Sequence, residues 1–404
     1  MLRYHARRPA IHHKDAEAAK LARLALIVNV GDAAFWTVLP LQIAELAGGE
    51  GPVGYYFALV AVVGIAATLL STRTFERRSK VAVGVVALVL MGALLIGMSL
   101  ADTLRVLAVF DIPRSVAFLL VTIVLGLLVR DHATAADLAV QEGRFYLYSN
   151  LGWLIGPVLA GYGAALVGLA GVFAGIAGVF LVALLYLLNL HLSDHPAVTP
   201  VADSRRSFAS MQALIEFLAS PRLRRVLVLS LGLELWWIIS SIYIPLAITD
   251  LGYGPETVGW VVTGGIVPLV LLESWVGKKA QIAGTRPYLV SGFVVLAVGS
   301  ASFTVLGFSP ELLLFMFAAV NVGAALVEPL ADTRFFEVAT GEEARRYFGI
   351  YNAAAPMASL VGPLLAAAAI SFGLGLNGVW LVAALVLIGC ARIALGVAED
   401  ARSA

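Results

Sequence analysis

Apolar runs of about twenty residues recur along the chain, separated by short polar turns and, once, by a longer polar stretch. A helix needs ~20 apolar residues to cross ~30 Å of hydrocarbon. The pattern therefore predicts twelve spanning helices: Leu21–Leu46, Val53–Ser71, Val81–Leu100, Leu104–Val129, Phe145–Val167 and Ala170–Leu192, then Val226–Ile248, Val258–Val276, Tyr288–Gly307, Leu312–Leu330, Ile350–Phe372 and Val379–Ala398. The runs are continuous instead of alternating every second residue, which excludes barrel strands. The first run is longer than the 7–15-residue core of a signal peptide, so it is expected to stay as the first span.

The turns fall into two alternating sets. One holds Arg73, Arg77, Arg78 and Lys80; Arg130 and Arg144; Arg205, Arg206, Arg222, Arg224 and Arg225; Lys278, Lys279 and Arg286; Arg334, Arg345 and Arg346. The other is nearly free of Lys and Arg, with only Arg105 at its edge. The positive-inside rule assigns the basic set to the cytoplasm. Both termini then lie there too, which requires an even number of spans. The expected organisation is a cytoplasmic segment 1–20, a six-helix bundle 21–192, a cytoplasmic linker 193–225, a second bundle 226–398 and a tail 399–404. Within the linker, Phe208–Leu218 is amphipathic and is expected to lie at the inner membrane surface.

The two halves repeat. At an offset of 205 residues Pro40 meets Pro245, Leu41 meets Leu246, Val53 meets Val258 and Gly54 meets Gly259; at 206, Gly156 meets Gly362 and Pro157 meets Pro363. Six crossings return the chain to the same side, so the repeats are parallel, related by an axis along the membrane normal. Such a pair suits alternating access, two bundles rocking about a midplane site.

Composition narrows the class further. Of 404 residues, 60% are apolar and 13% charged, about half the charge of a soluble domain. No basic block with interleaved aromatics is present, which argues against nucleic-acid binding. Cys390 is the single cysteine, so no intramolecular disulfide or cysteine metal cluster can form. The six histidines all fall in segments read as cytoplasmic, which argues against a transmembrane histidine relay. No zinc-protease helix, nucleophile elbow or phosphate loop occurs, so neither an enzyme nor a cofactor or metal site is expected.

Two loops carry a family resemblance. After the eighth span the chain reads Gly277-Lys278-Lys279-Ala280-Gln281-Ile282-Ala283-Gly284-Thr285-Arg286. This resembles the major facilitator loop signature G-x-x-A-D-x-x-G-x-R, with Gln281 replacing the acid. After the second span, Thr72 to Lys80 keeps an acid, Glu76, and the bases Arg77 and Lys80, with Thr72 and Ser79 where glycines are usual. The resemblance covers essentially the whole chain. It implies an all-α membrane protein of twelve transmembrane helices in two parallel six-helix repeats, most like the drug:proton antiporter branch. It also implies a monomer and a conformational latch formed by these loops in the outward-open state; topology determination alone is the other reading of the same residues. The high Ala, Val and Leu content suits a plasma-membrane location. In the fifth span, Gly152, Gly156, Pro157 and Gly161 resemble the antiporter motif G-x-x-x-G-P-x-x-G-G, with Ala160 replacing one glycine. Gly362-Pro363 repeats part of it in span eleven. Exchange and simple helix packing both fit this motif.

Ionisable residues inside the membrane are costly and point to function by default. Asp32 lies eleven residues into span one, ~16 Å deep at 1.5 Å per residue. Glu234 lies at a similar depth in span seven, and its repeat partner Asn29 is one turn from Asp32. Trp36 and Trp237, with neighbouring Phe35 and Trp236, could line a cavity between them. Burial favours the neutral form of a carboxyl, so either acid could load and release a proton, bind a cation directly, or simply join two helices. Asp111 and Arg114, three apart in span four, either neutralise each other or bind substrate. Asn150 and Asn321 are candidate polar contacts in the cavity. Together these features point to proton-coupled efflux of an amphipathic or cationic small molecule. The alternative is proton-coupled import of an organic anion, sugar or amino acid, with Arg114 as the anion ligand.

Overall fold

The computed structural model describes residues 9–77, 79–132, 138–191, 211–304, 309–339 and 341–397, with side chains throughout except at 9–18, 68–77, 130, 132, 138–140, 142, 211, 332 and 345. The described residues are helical apart from turns. The elements are α1 (Pro9–Ala47), α2 (Gly51–Arg77), α3 (Lys80–Ser99), α4 (Leu104–His132), α5 (Leu138–Asn189), α6 (Met211–Ala219), α7 (Pro221–Asp250), α8 (Pro255–Ala283), α9 (Arg286–Ser302), α10 (Pro310–Val338), α11 (Glu342–Tyr351), α12 (Ala354–Ala369) and α13 (Gly375–Leu395).

The twelve expected crossings are present, but two of the turns between them are so tight that consecutive helices run together. In α5, two spans meet at Gly168, whose φ of 77° turns the chain with almost no loop. Between α12 and α13 a π-helical turn, Ile370–Leu374, reverses direction on Gly373 and Gly375, both at positive φ. That left-handed region is open to glycine because it has no Cβ. Other starts follow ordinary chemistry. Pro221, Pro255 and Pro310 open α7, α8 and α10, where a missing N–H costs nothing. Ser79 and Ser309 accept from the amides of Ala82 and Leu312 to cap α3 and α10.

Helices α1 to α5 form one half and α7 to α13 the other. The face carrying the arginine-rich turns is called the basic face below, and the opposite one the bare face. The cores are aromatic: Phe35 packs on Phe173 at 5.8 Å in the first half, and Phe303 on Trp380 at 5.0 Å in the second. The outside is apolar as well. Val86, Val109, Leu185, Val298, Phe315 and Leu385 are each more than half exposed. In water such a belt would drive association; in a bilayer it meets lipid at no cost.

Two details go beyond the sequence pattern. Span eleven was expected to start at Ile350, yet a separate amphipathic helix, α11, ends at Tyr351 and the span restarts at Ala354. The linker helix α6 was expected to rest on the membrane surface. Its Ala213 and Phe217 are buried in a small cluster with Phe335, Tyr347 and Tyr351, a partner the pattern does not show, while Ile215 and Leu218 remain exposed. Ring contacts build the cluster: Phe217 meets Tyr347 edge-on at 5.6 Å, and Phe335 stacks on Tyr351 at 4.5 Å. Glu216 adds an ion pair with Arg346 and accepts from the Tyr347 hydroxyl at 3.2 Å. The lead before α6, 192–210, lies outside the described residues.

Candidate functional site

The two halves meet chiefly along two helix pairs, α5 with α8 and α2 with α12, and α1 also touches α7. Small residues allow this closeness. A Cβ on Gly161 would lie 2.5 Å from the Pro255 carbonyl, and one on Gly259 would lie 2.5 Å from the Pro157 carbonyl. Across the second seam, a Cβ on Gly54 would overlap the Pro363 carbonyl. Polar bonds follow the same seams: Thr263 donates to the Leu154 carbonyl at 3.1 Å, Trp260 to the Tyr162 hydroxyl at 3.1 Å, and Tyr55 pairs with Ser371 at 3.2 Å. These contacts lie between the middle of the molecule and the bare face, which they seal. Above the seal a cleft of about 310 Å³ indents the bare face between Leu41, Ala44 and Glu45 of one half and Leu246, Thr249 and Pro255 of the other.

Beside the seal the first half holds a buried charge cluster. The Arg114 Nε donates to Asp111 Oδ1 at 2.7 Å, and the Tyr56 hydroxyl donates to Asp111 Oδ2 at 2.9 Å. Asp111 is wholly buried, and the Arg114 guanidinium lies 3.6 Å from the Phe35 ring centroid, a cation–π geometry. Asp32, on α1, is buried beside them; Arg114 is the charged neighbour that acts on it. Its Oδ1 has no hydrogen-bond partner among the described residues. Arg114 is therefore already neutralised by Asp111, which leaves Asp32 as the surplus acid of the cluster.

The remaining sequence candidates separate. Asn29 donates to the Ala25 carbonyl at 2.8 Å and to Ser149 of α5 at 3.2 Å. Trp36 stacks on Phe57 at 5.5 Å. Glu234, Trp237 and Asn150 are each half-buried. Asn321 was read as a cavity residue, but it is fully buried in the second half. There it accepts from Trp236 Nε1 at 2.8 Å and donates to the Gly265 carbonyl at 3.0 Å, joining α7, α8 and α10.

The packing motif does two jobs at once. Gly152 and Gly156 face their own half, where added Cβ atoms would sit 2.7 Å from Asn29 Cβ and 2.6 Å from the Val30 carbonyl. Pro157 and Gly161 face the other half. The second copy divides the same way: Gly362 lies against Ile238 of α7, and Pro363 against Gly54 of α2. Of the latch residues, Lys80 is engaged within its own half, 2.6 Å from Asp131 at the end of α4. Gly277 has open space around it, Gln281 is exposed, Gly284 ends α8 at φ 82°, and Arg286 starts α9. The side chains of Glu76 and Arg77 lie outside the described residues.

Tyr56, Phe35 and the glycine pair Gly54 and Gly259 complete the site. The repeat offset had already matched the two glycines; nothing in the spacing of span two marked Tyr56 as the second donor to Asp111.

A family model described as the Major Facilitator Superfamily matches residues 21–254 and again residues 235–403. Among characterised proteins, the chain is 26% identical over 119 residues to the multidrug transporter protein MdtP of Bacillus subtilis (strain 168). That match covers 30% of this chain and 22% of the relative's length. The fold is similar to a bacterial homologue of the human lysosomal transporter Spinster, solved inward-facing and unoccupied, with a TM-score of 0.69 at 12% identity over 96% of this chain and 97% of that one. It is also similar to a POT family transporter solved with a thioalcohol-conjugated peptide, with a TM-score of 0.68 at 14% identity over 94% of each chain.

Proposed function

The chain belongs to the major facilitator superfamily, and from that premise we propose that it is a secondary transporter exporting amphipathic or cationic small molecules in exchange for protons. It is a multi-pass membrane transporter; direction, coupling ion and substrate class are the proposal. The observation that carries it is Asp32, a buried acid in excess of the Asp111–Arg114 pair. A buried charge without full compensation is expensive. Two states therefore compete at Asp32: a neutral, protonated carboxyl, or a carboxylate balanced by a cation. Exchange of a proton for a cationic substrate alternates between those states.

The seal at the bare face supports a working cycle. If the basic face is cytoplasmic, as its arginines suggest, access from inside requires these seams closed and the basic face parted. Opening the two glycine seams and closing the basic face would carry Asp32 to outside access. Half-buried Trp36 and Trp237 offer apolar walls for an amphipathic body. The multidrug name of the Bacillus subtilis relative points the same way over a short stretch. An anion importer is less well supported, because Arg114 is already bonded to Asp111 and stacked on Phe35.

Proteoliposomes carrying a luminal pH dye test this. Addition of a lipophilic cation such as tetraphenylphosphonium is expected to move protons in the wild type and not in Asp32→Asn. Proton movement that persists in Asp32→Asn but disappears in Glu234→Gln would assign coupling to the second half. A response only to anions, lost in Arg114→Ala, would replace export with import.

A further inference from the structure

A second polar feature lies away from the transport path, at the basic end of the second half. A cavity of about 120 Å³ opens where α7 begins and α10 and α13 end. Three arginines line it: Arg222 and Arg225 from the first turns of α7, and Arg334 from α10. One acid, Glu337, faces them, so the lining carries two net positive charges. Val226, Val338 and Val397 form the rest of the wall.

The arginines are held in place. Arg225 Nη1 donates to the Gly396 carbonyl at the end of α13 at 2.6 Å. Arg334 is buried and donates from Nη1 to Glu337 at 2.8 Å. Arg222 is the loose member: more than half exposed, with its nearest acid, Glu343, at 3.8 Å. α7 also begins here, after Ser220, so the positive end of its dipole lies at this end of the helix.

Size and chemistry narrow the occupant. The volume is that of about four liquid waters at ~30 Å³ each, enough for a tetrahedral phosphate. Guanidinium groups match phosphate oxygens in fork geometry, and the net positive charge of the lining disfavours a cation. The valines put an apolar rim on the cavity where three helices leave the bilayer, at the level of headgroups.

We propose that this cavity binds a phosphate-bearing anion, supplied in the membrane as the headgroup of an anionic phospholipid in the leaflet on the basic face. The inference rests on the chain spanning a membrane, not on the proposed direction or coupling of transport. Occupancy braces the start of α7 against the ends of α10 and α13, three helices of one rocking half.

The test uses the full chain in neutral detergent, with phosphatidylglycerol, phosphatidylcholine and inorganic phosphate as probes. Lipid retention is read by native mass spectrometry and stabilisation by the apparent Tm. The wild type is expected to retain phosphatidylglycerol over phosphatidylcholine by about tenfold or more. Arg222→Gln with Arg225→Gln is expected to erase that preference. Lys278→Gln with Lys279→Gln, which removes equal charge elsewhere on the basic face, is expected to keep it. Because Arg225 also holds α13, the exposed Arg222→Glu serves as a second variant that leaves this bond intact, and it too should lose the preference. Stabilisation by inorganic phosphate without a lipid preference would keep the site but name free phosphate as its source. Equal retention in wild type and pocket variants, or equal loss in the lysine variant, would overturn the proposal.

Discussion

Gly259 of α8 lies against the carbonyl of Pro157 of α5, so close that a Cβ on the glycine would sit 2.5 Å from that oxygen. The repeat-equivalent pair, Gly54 and Pro363, makes the same contact between α2 and α12. The halves are thus sealed at the bare face by two related glycine-to-proline contacts. Each Gly-Pro step turns its glycine to its own bundle and its proline carbonyl to the other.

Because backbone carbonyls meet the added atoms, neither seam can yield by a side-chain rotation. Gly54→Val and Gly259→Val are expected to prevent closure of the bare face while leaving each half folded. Transport should fall by about tenfold or more for each, since overpacking costs ~1–3 kcal/mol against the closed seam and ~1.4 kcal/mol is a factor of ten. A thiol reagent applied from the bare face to a cysteine placed at Leu154 should react faster in both variants than in a control carrying only that cysteine. Unchanged reactivity would show that these contacts are not the seal.

Arg114 balances Asp111 in a buried pair, so removing it strands two acids. Arg114→Leu is expected to destabilise the protein by ~3–5 kcal/mol, the usual cost of breaking a buried ion pair from one side. Adding Asp111→Asn should recover part of that loss. Asp32→Asn, by contrast, is expected to leave stability nearly unchanged or improved while abolishing proton coupling. Apparent Tm values of the four proteins, set beside proton flux, separate the structural pair from the coupling acid.

Asn321 holds Trp236 and the Gly265 carbonyl in the second half. Asn321→Leu leaves both without a partner, at ~1–3 kcal/mol for each orphaned group. The expected outcome is a lower Tm with transport per folded molecule retained. A selective loss of substrate affinity at unchanged Tm would return Asn321 to the cavity.

Glu50 lies half-buried in the turn between α1 and α2, on the bare face. Burial first, and then the charge of Asp250 at the end of α7, push its carboxyl from 4.5 up to about 7. A raised acid pKa means the sealed face binds the proton more tightly than an open one. The seal therefore carries no penalty below pH 4.5, a growing one between 4.5 and about 7, and the full one above that. Spin labels at Ala47 and Leu251, one on each half, are expected to move apart as the pH rises through this window. Glu50→Gln should hold them at the short distance throughout.

Much of the architecture was legible in the chain. Run length, the sorting of arginine and lysine and the 205-residue repeat each report a one-dimensional constraint: a bilayer of fixed thickness, a charge-sensitive orientation, a duplicated bundle. These fix helices and their order without any knowledge of neighbours. The same pattern placed Asp32 and the Asp111–Arg114 pair at membrane depth, because a charge within an apolar run is visible in sequence. It is silent where the signal is a partner. Asn321 reads as a polar residue near the midplane whether it faces a cavity or Trp236. The α6 segment has the same amphipathic pattern whether lipid or Phe335 and Tyr347 cover its apolar side.

The sequence by itself determined a twelve-span, two-half transporter and marked the charges that interrupt its apolar runs, because hydrophobic length and charge sorting are properties of the chain. Tertiary structure decided which acid is in surplus and which glycines form the seal. Both depend on distances of a few ångströms between helices remote in sequence, where a carboxylate's partner or the absence of a Cβ sets the energy.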